Sequence, residues 1–158
     1  MEAAGRVQAM MVLYDKLYRS ETKGEISAKN YLESLITEIL KLFPARLNVK
    51  TVTNFEDVTL SAETLSPLGI IINELITNSM KYAFRGREGG LIETFLVKKE
   101  ENIIFVYKDD GIGMSGNAGI NDSAGFGLQL IDILVRQLNG SIESEEGPGA
   151  KFVIQFPV

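Results

Sequence analysis

The stretch KDDGIGM (Lys108 to Met114) ends a β-branched, aromatic run with an aspartate followed by Gly-x-Gly. A strand-terminal carboxylate beside bare backbone is an acceptor that a flat ring can approach. Asp109 could take a hydrogen bond from an exocyclic amine such as that of adenine, with Gly111 and Gly113 admitting the ring. An ordinary polar turn would look the same, since Asp-Gly pairs are common in turns. Further on, AGFGLQL puts Gly125, Gly127 and Leu128 at a helix entrance. Free N–H groups there, with the helix dipole behind them, suit an anion such as phosphate. The pattern is neither a Rossmann fingerprint nor a Walker motif, because no strand leads directly into it and GK[ST] is absent. The third group lies in LGIIINELITNSMKYAF (Leu68 to Phe84). At about 100° per residue, Glu74, Asn78, Lys81 and Arg85 line one helical face with Tyr82 at its edge. Ile72, Leu75, Ile76, Ser79, Met80 and Ala83 take the opposite, mostly apolar face. A solvated face of an amphipathic helix is the competing reading.

Several elements must position these groups. Val7, Met10, Met11, Tyr14, Leu17 and Tyr18 recur at bundle or coiled-coil spacing, so a helix is expected from about Ala4 to Ser20. Ser27 looks like the N-cap of a second helix running to about Phe43 and stopped by Pro44. RLNVKTVTNF alternates as a strand, and DVTLS is a short strand after it. The Glu74 helix starts near Ser61, with Pro67 tolerable near its start. GLIETFLVKK and NIIFVYKD are two strands joined by a tight turn at Glu100-Glu101. After a glycine-rich loop from Gly111 to about Gly125, FGLQLIDILVRQLNG forms a helix closed by Asn139-Gly140. SIESEE, the turn GPG and KFVIQFPV make a final hairpin. With no regular βαβ alternation, this order predicts an α+β sandwich, helices layered on one face of a mixed sheet.

Composition narrows the chemistry. The 158 residues suffice for one domain plus a helical extension, and 45% hydrophobic with 23% charged residues is ordinary for a globular protein. No aliphatic run nears the ~20 residues of a membrane span, and nothing resembles a signal peptide. The absence of cysteine rules out disulfides and thiolate metal sites, which suits a reducing compartment. The absence of histidine rules out a Ser-His-Asp triad, imidazole-ligated zinc and a histidine phosphoacceptor within the chain. Any metal must take oxygen ligands, which points to magnesium or calcium. A net charge of −5 argues against nucleic acid as the main partner.

An N-E-x-x-x-N-x-x-K-Y helix, then D-x-G-x-G after a strand, then G-x-G-L at a helix start, in that chain order, closely resemble the ATP-binding domain shared by histidine kinases, Hsp90-like chaperones, type II topoisomerases and MutL. INELITNSMKYAF, DDGIGM, GFGLQLIDILVRQLNGSIE and GPGAKFVIQFP look most like sensor histidine kinases of a short-lid subgroup. A sibling subgroup marked by Trp-x-Glu would carry a tryptophan, and this chain has none. The resemblance implies a Bergerat-type two-layer fold with about three helices, preceded by a dimerisation helix. It assigns residues 1–24 to the remnant of a helical phosphotransfer region and 25–158 to the catalytic domain.

By the same resemblance, ATP and Mg2+ are the cofactors. Asn78 would offer its amide oxygen to magnesium, and Glu74 would orient metal-bound water or assist the attacking nucleophile. Lys81 would meet phosphate charge, and Tyr82 would flank base or ribose. Asp109 would accept from the adenine amine, Gly111 and Gly113 would let the ring in, and Gly125, Gly127 and Leu128 would close over the phosphates. The segment from Met114 to Ala124 would be a lid ordered by nucleotide.

Two departures stand out: Ala150 occupies a position where such families usually carry threonine, and the chain lacks the histidine such a kinase phosphorylates. The expectation is therefore a cytoplasmic catalytic fragment that transfers the γ-phosphoryl group of Mg-ATP to a histidine elsewhere. Its expected partners are a response regulator, an upstream sensor and phosphoacceptor helix, and a second copy through the N-terminal helix, without nucleic-acid or membrane contact. An anti-sigma-factor-type serine kinase and a non-catalytic ATP-binding dimerisation module are the alternatives.

Overall fold

The computed structural model describes residues 7, 8, 10, 11, 14, 15, 17, 25–45, 47–113, 125–145 and 147–158. The described residues before 18 are helical. Val7, Met10, Met11 and Tyr14 are exposed, whereas Leu17 is buried in the core. The expected seam therefore divides, with Leu17 turned into the domain. Tyr18 and the segment from Met114 to Ala124 lie outside the described residues.

Helix α1 spans Ala28–Lys41, and the Ser27 hydroxyl accepts the Asn30 N–H as its N-cap. Its apolar stripe of Leu32, Leu35, Ile36 and Ile39 is buried. Helix α2 spans Ala62–Asn78, capped by Ser61, whose hydroxyl accepts the Thr64 N–H. Helix α3 spans Phe126–Gln137. Helix α2 packs against α1 and α3, so its buried positions surround the axis instead of forming one stripe.

Strand β1 (Ile26–Ser27) pairs antiparallel with β3 (Thr59–Leu60) in a small separate ribbon. Two residues beside a helix cap carry no period, so β1 has no trace in the hydrophobic pattern. The main sheet holds β2 (Asn48–Phe55), β4 (Gly89–Lys99), β5 (Asn102–Asp109), β6 (Ser141–Glu145) and β7 (Lys151–Pro157). Their order is β2-β4-β5-β7-β6, with β2 and β4 parallel and the remaining neighbours antiparallel. Period-two alternation sends Ile92, Thr94 and Leu96 of β4, Ile103, Phe105, Tyr107 and Asp109 of β5, and Phe152, Ile154 and Phe156 of β7 to the buried face. Register places Tyr107 opposite Phe152 and Phe105 opposite Ile154, so the apolar rows of the central strands coincide. The fold is the expected α+β two-layer sandwich of a mixed sheet and three helices. Among the described residues, no helix is long and apolar enough to cross a membrane.

The end of α3 follows its sequence signal closely. Asn139 is left-handed at φ 56°, its N–H donates to the Arg136 carbonyl, and the Gly140 N–H donates to the Val135 carbonyl. This is a Schellman closure with asparagine in the usual glycine place. Asn139 is exposed, so substitution there tests backbone conformation alone. Asn139→Ala should lower unfolding free energy by about 1 kcal/mol in urea denaturation, because alanine tolerates the left-handed region poorly. Asn139→Gly should not.

Candidate functional site

Asp109 is the last residue of β5 and keeps the inward phase of that strand, so its carboxylate is buried beneath α2. Oδ1 accepts the Gly111 N–H at 3.0 Å and the Ala150 N–H at 3.1 Å, and Oδ2 accepts the Ser79 hydroxyl at 2.6 Å. The Asp109 N–H donates to the Ala150 carbonyl at 2.9 Å. Three segments distant in sequence thus hold one carboxylate.

Glycine is required at two of the contacts. Gly149 is left-handed at φ +82°, and a Cβ there would run into the Asp109 carbonyl. A Cβ on Gly111 would meet Ala83, whose carbonyl accepts the Ile112 N–H at 3.1 Å.

The helix above this strand is not α-helical to Phe84, as its pattern suggests. Residues Ser79–Ala83 form a π turn, marked by the Phe84 N–H donating to the Ser79 carbonyl at 3.1 Å. The wider turn rotates the last residues away from the 100° progression. Ser79 and Ala83 face inward, against Asp109 and Gly111. The solvated-face alternative also fails at Glu74, which is only 2% exposed on a helix that packs against both α1 and α3. Asn78 and Lys81 are half-buried, while Tyr82 and Arg85 are exposed.

A cavity of about 430 Å³ opens between α2, the end of β5 and the start of α3. It brings together Asn78, Lys81, Tyr82, Asp109, Gly113, Gly125, Gly127 and Leu128. Two expected site residues are not in its lining. Gly111 stands behind Asp109 as a donor to Oδ1, and Glu74 is buried one helical turn before Asn78. Leu75 and Phe152 supply apolar wall, and Ala150 borders Asp109. Gly125 is the N-cap of α3, the Leu128 N–H donates to its carbonyl at 3.1 Å, and the positive end of the helix dipole borders this end of the cavity.

Ser79 and Tyr107 also line the cavity, and neither was singled out from sequence. The Tyr107 hydroxyl is 2.7 Å from the Ser79 hydroxyl and 3.3 Å from the Leu75 carbonyl. Burial pushes the Tyr107 phenol well above its ordinary range, against a smaller lowering by the Ser79 hydrogen bond. It therefore remains a protonated donor. A signal for both residues existed: Ser79 is a polar residue on the apolar face, and Tyr107 shares the phase of Asp109.

Asp110 faces outward and accepts the Leu91 N–H at 2.8 Å and Arg87 Nη2 at 3.1 Å. Chiefly through the Leu91 bond, its carboxyl is held below the usual range. That contribution is present once the carboxyl is ionised and fades as pH falls through its lowered pKa. Among the described residues no three carboxylates gather into a metal cage. Asn78 is left as a neutral oxygen donor on the cavity wall.

Comparison with known proteins gives a consistent answer. Residues 64–158 match the family model described as histidine kinase-, DNA gyrase B- and HSP90-like ATPase, and residues 1–43 match one described as histidine kinase. Blue-light-activated histidine kinase 1 of Erythrobacter litoralis is 25% identical over 97% of this chain and 42% of its own length. The sensor histidine kinase PdtaS of Mycolicibacterium smegmatis is 25% identical over 100% of this chain and 32% of its own length. The chain thus spans less than half the length of these curated relatives. In fold, it superposes on the histidine kinase domain of the Erythrobacter litoralis EL346 blue-light-activated kinase with a TM-score of 0.82. That match has 20% identity and covers 98% of this chain and 73% of the other.

The clasp around Asp109 is testable by itself. Gly149→Ala should destabilise the domain by roughly 2–4 kcal/mol in urea denaturation, since left-handed strain and overlap with the Asp109 carbonyl add. A loss under 1 kcal/mol would mean the Gly149 turn is not held against β5.

Proposed function

The chain belongs to the histidine kinase-, DNA gyrase B- and HSP90-like ATPase family, and on that premise we propose that it phosphorylates protein histidine from Mg-ATP. The observation that carries this reading is a carboxylate, fixed by three hydrogen bonds, on the wall of a cavity that also holds Asn78 and Lys81. The acceptor imidazole cannot belong to these 158 residues, which contain no histidine.

In this proposal Asp109 takes the adenine amine, and Gly113 admits the ring. Tyr82 flanks base or ribose. Lys81 and the first-turn amides at Gly125, Gly127 and Leu128 meet phosphate charge. The cavity suits a nucleotide because its base end is apolar, with one fixed acceptor, and its other end places Lys81 beside the N-terminus of α3. Asn78 would be the side-chain oxygen for magnesium. A single neutral ligand fits that ion, which keeps most of its water and takes its other ligands from substrate phosphates. Magnesium would supply charge neutralisation.

Glu74, one turn before Asn78, is assigned to orienting the incoming nucleophile. The imidazole nitrogen forms a bond to the γ-phosphorus as the bond to the β–γ bridging oxygen breaks, and ADP leaves. The domain would act mainly by positioning and electrostatics. Residues 1–24 would contribute to a dimerising helical region, with 25–158 as the catalytic domain. A second copy, an upstream sensor and a cytoplasmic response regulator complete the proposed system.

Two measurements decide this reading. Asp109→Asn should weaken ATP binding roughly tenfold to hundredfold in calorimetry, since an amide can present a donor where the carboxylate accepts. Unchanged affinity would take Asp109 out of the base site. The second mixes this chain with labelled ATP and a histidine-bearing helical bundle of the same family. Slow, concentration-dependent transfer is expected, because a separated acceptor lacks effective concentration. The label should be acid-labile, and Asn78→Ala should abolish it. Acid-stable label would favour a serine kinase, and binding without transfer a non-catalytic module.

A further inference from the structure

Behind Asp109 stands a polar chain that the apolar pattern of α2 conceals. Tyr107 is fully buried, and its hydroxyl has two acceptors in reach, Ser79 Oγ at 2.7 Å and the Leu75 carbonyl at 3.3 Å. The shorter contact is the stronger bond, and a protonated phenol has one hydrogen to give. Ser79 likewise has one hydrogen, and its 2.6 Å contact with Asp109 Oδ2 ends on a group that accepts. The order of donation is therefore fixed: Tyr107 to Ser79, and Ser79 to Asp109. Were Ser79 to donate to Tyr107 instead, two oxygens 2.6 Å apart would face each other without a proton between them.

We propose that Ser79 and Tyr107 are positioning residues for base selection, a directed relay that fixes the plane of the Asp109 carboxylate for an exocyclic amine. The proposal rests on the reading of Asp109 as the amine acceptor and extends it to the groups that make the acceptor selective. The two backbone donors, Gly111 and Ala150, converge on Oδ1 alone. The carboxylate turns about its Cβ–Cγ bond, which moves both oxygens together, so a bond to the second oxygen adds to the restraint on its plane. Ser79 fixes the second oxygen. Oδ2 then receives one bond from the protein where Oδ1 receives two, so the remaining acceptor capacity lies on Oδ2. The relay works as a unit because Ser79, at the junction of α2 and the π turn, faces inward onto the strand carrying Tyr107 and Asp109.

The test uses two nucleotides on the intact chain, ATP and purine riboside triphosphate, which lacks the exocyclic amine. Binding of each is measured by calorimetry to the wild type, Ser79→Ala, Ser79→Thr and Tyr107→Phe, with circular dichroism to establish folding. Ser79→Ala should weaken ATP about tenfold while changing the amine-free nucleotide less than about twofold, since a hydrogen bond to a charged group acts only where that group is used. Ser79→Thr keeps the hydroxyl and should restore at least part of the preference for ATP. Tyr107→Phe removes the far end of the relay and should reduce the ATP preference by a smaller factor, about twofold to fourfold.

Equal losses for both nucleotides would overturn the relay and leave Ser79 a packing residue. Undiminished preference for ATP in the Ser79→Ala protein would overturn it as well. If Ser79→Ala does not fold, Tyr107→Phe carries the decision, and an unchanged ratio of the two affinities there refutes the proposal. A wild type that binds both nucleotides equally would fail differently, because it would remove Asp109 as amine acceptor and leave no selection to position.

Discussion

The structure depends on holding one carboxylate still inside a helix–sheet sandwich. Asp109 ends the central strand on its buried face, where an unpaired carboxylate would be destabilising by several kcal/mol. The protein meets that requirement with two backbone N–H groups and one hydroxyl. These come from the π turn, the loop after β5 and the turn between β6 and β7. Each segment has a local reason to be there: a widened turn, a glycine under Ala83, and a left-handed glycine against a carbonyl. The cavity opens beside their meeting point, with the start of α3 as its opposite wall.

The π turn is the least economical part of this arrangement and the most informative. An α-helical continuation would have kept the regular stripe and turned Ser79 and Ala83 by the ordinary step. Inserting a wider turn lets the inward residues descend on the end of β5. It also leaves Lys81 and Tyr82 on the cavity wall next to Asn78. Such bulges are tolerated where close contact offsets the poorer helical hydrogen bonding. Here the contacts are the short Ser79 bond to Asp109 and the approach of Gly111 to Ala83.

Much of this was legible in the residues, for identifiable reasons. The caps at Ser27 and Ser61, the closure at Asn139-Gly140 and the alternation of β4, β5 and β7 are local signals, and the structure follows them. The cluster of Asn78, Lys81, Asp109, Gly113, Gly125 and Gly127 was legible through the resemblance of three motifs in chain order, and the structure brings these residues to one cavity. Three features were not legible. Strand β1 is too short to show a period. The π turn reflects tertiary contact with β5, which no property of SMKYA alone encodes. Burial of Glu74 depends on both neighbouring helices, so a single-helix projection places it in water.

On the proposed reading, α2 and its π turn would carry base selection and phosphoryl chemistry in sequence on one element. Ser79 faces the fixed acceptor, Asn78 stands beside it on the cavity wall, and Glu74 lies one turn earlier. Contacts to the base are the same before and during transfer, so they set affinity and add little to the rate of the chemical step. Contacts near the γ-phosphorus change as bonds form and break, and only these raise that rate. Placing both sets on a single helix makes the distance between base site and reacting phosphorus a property of backbone geometry. If the acceptor imidazole comes from elsewhere, as proposed, the reaction would need that rigidity. The donor half of the reaction must already be in register when the acceptor arrives, because a separate acceptor cannot correct the donor's position.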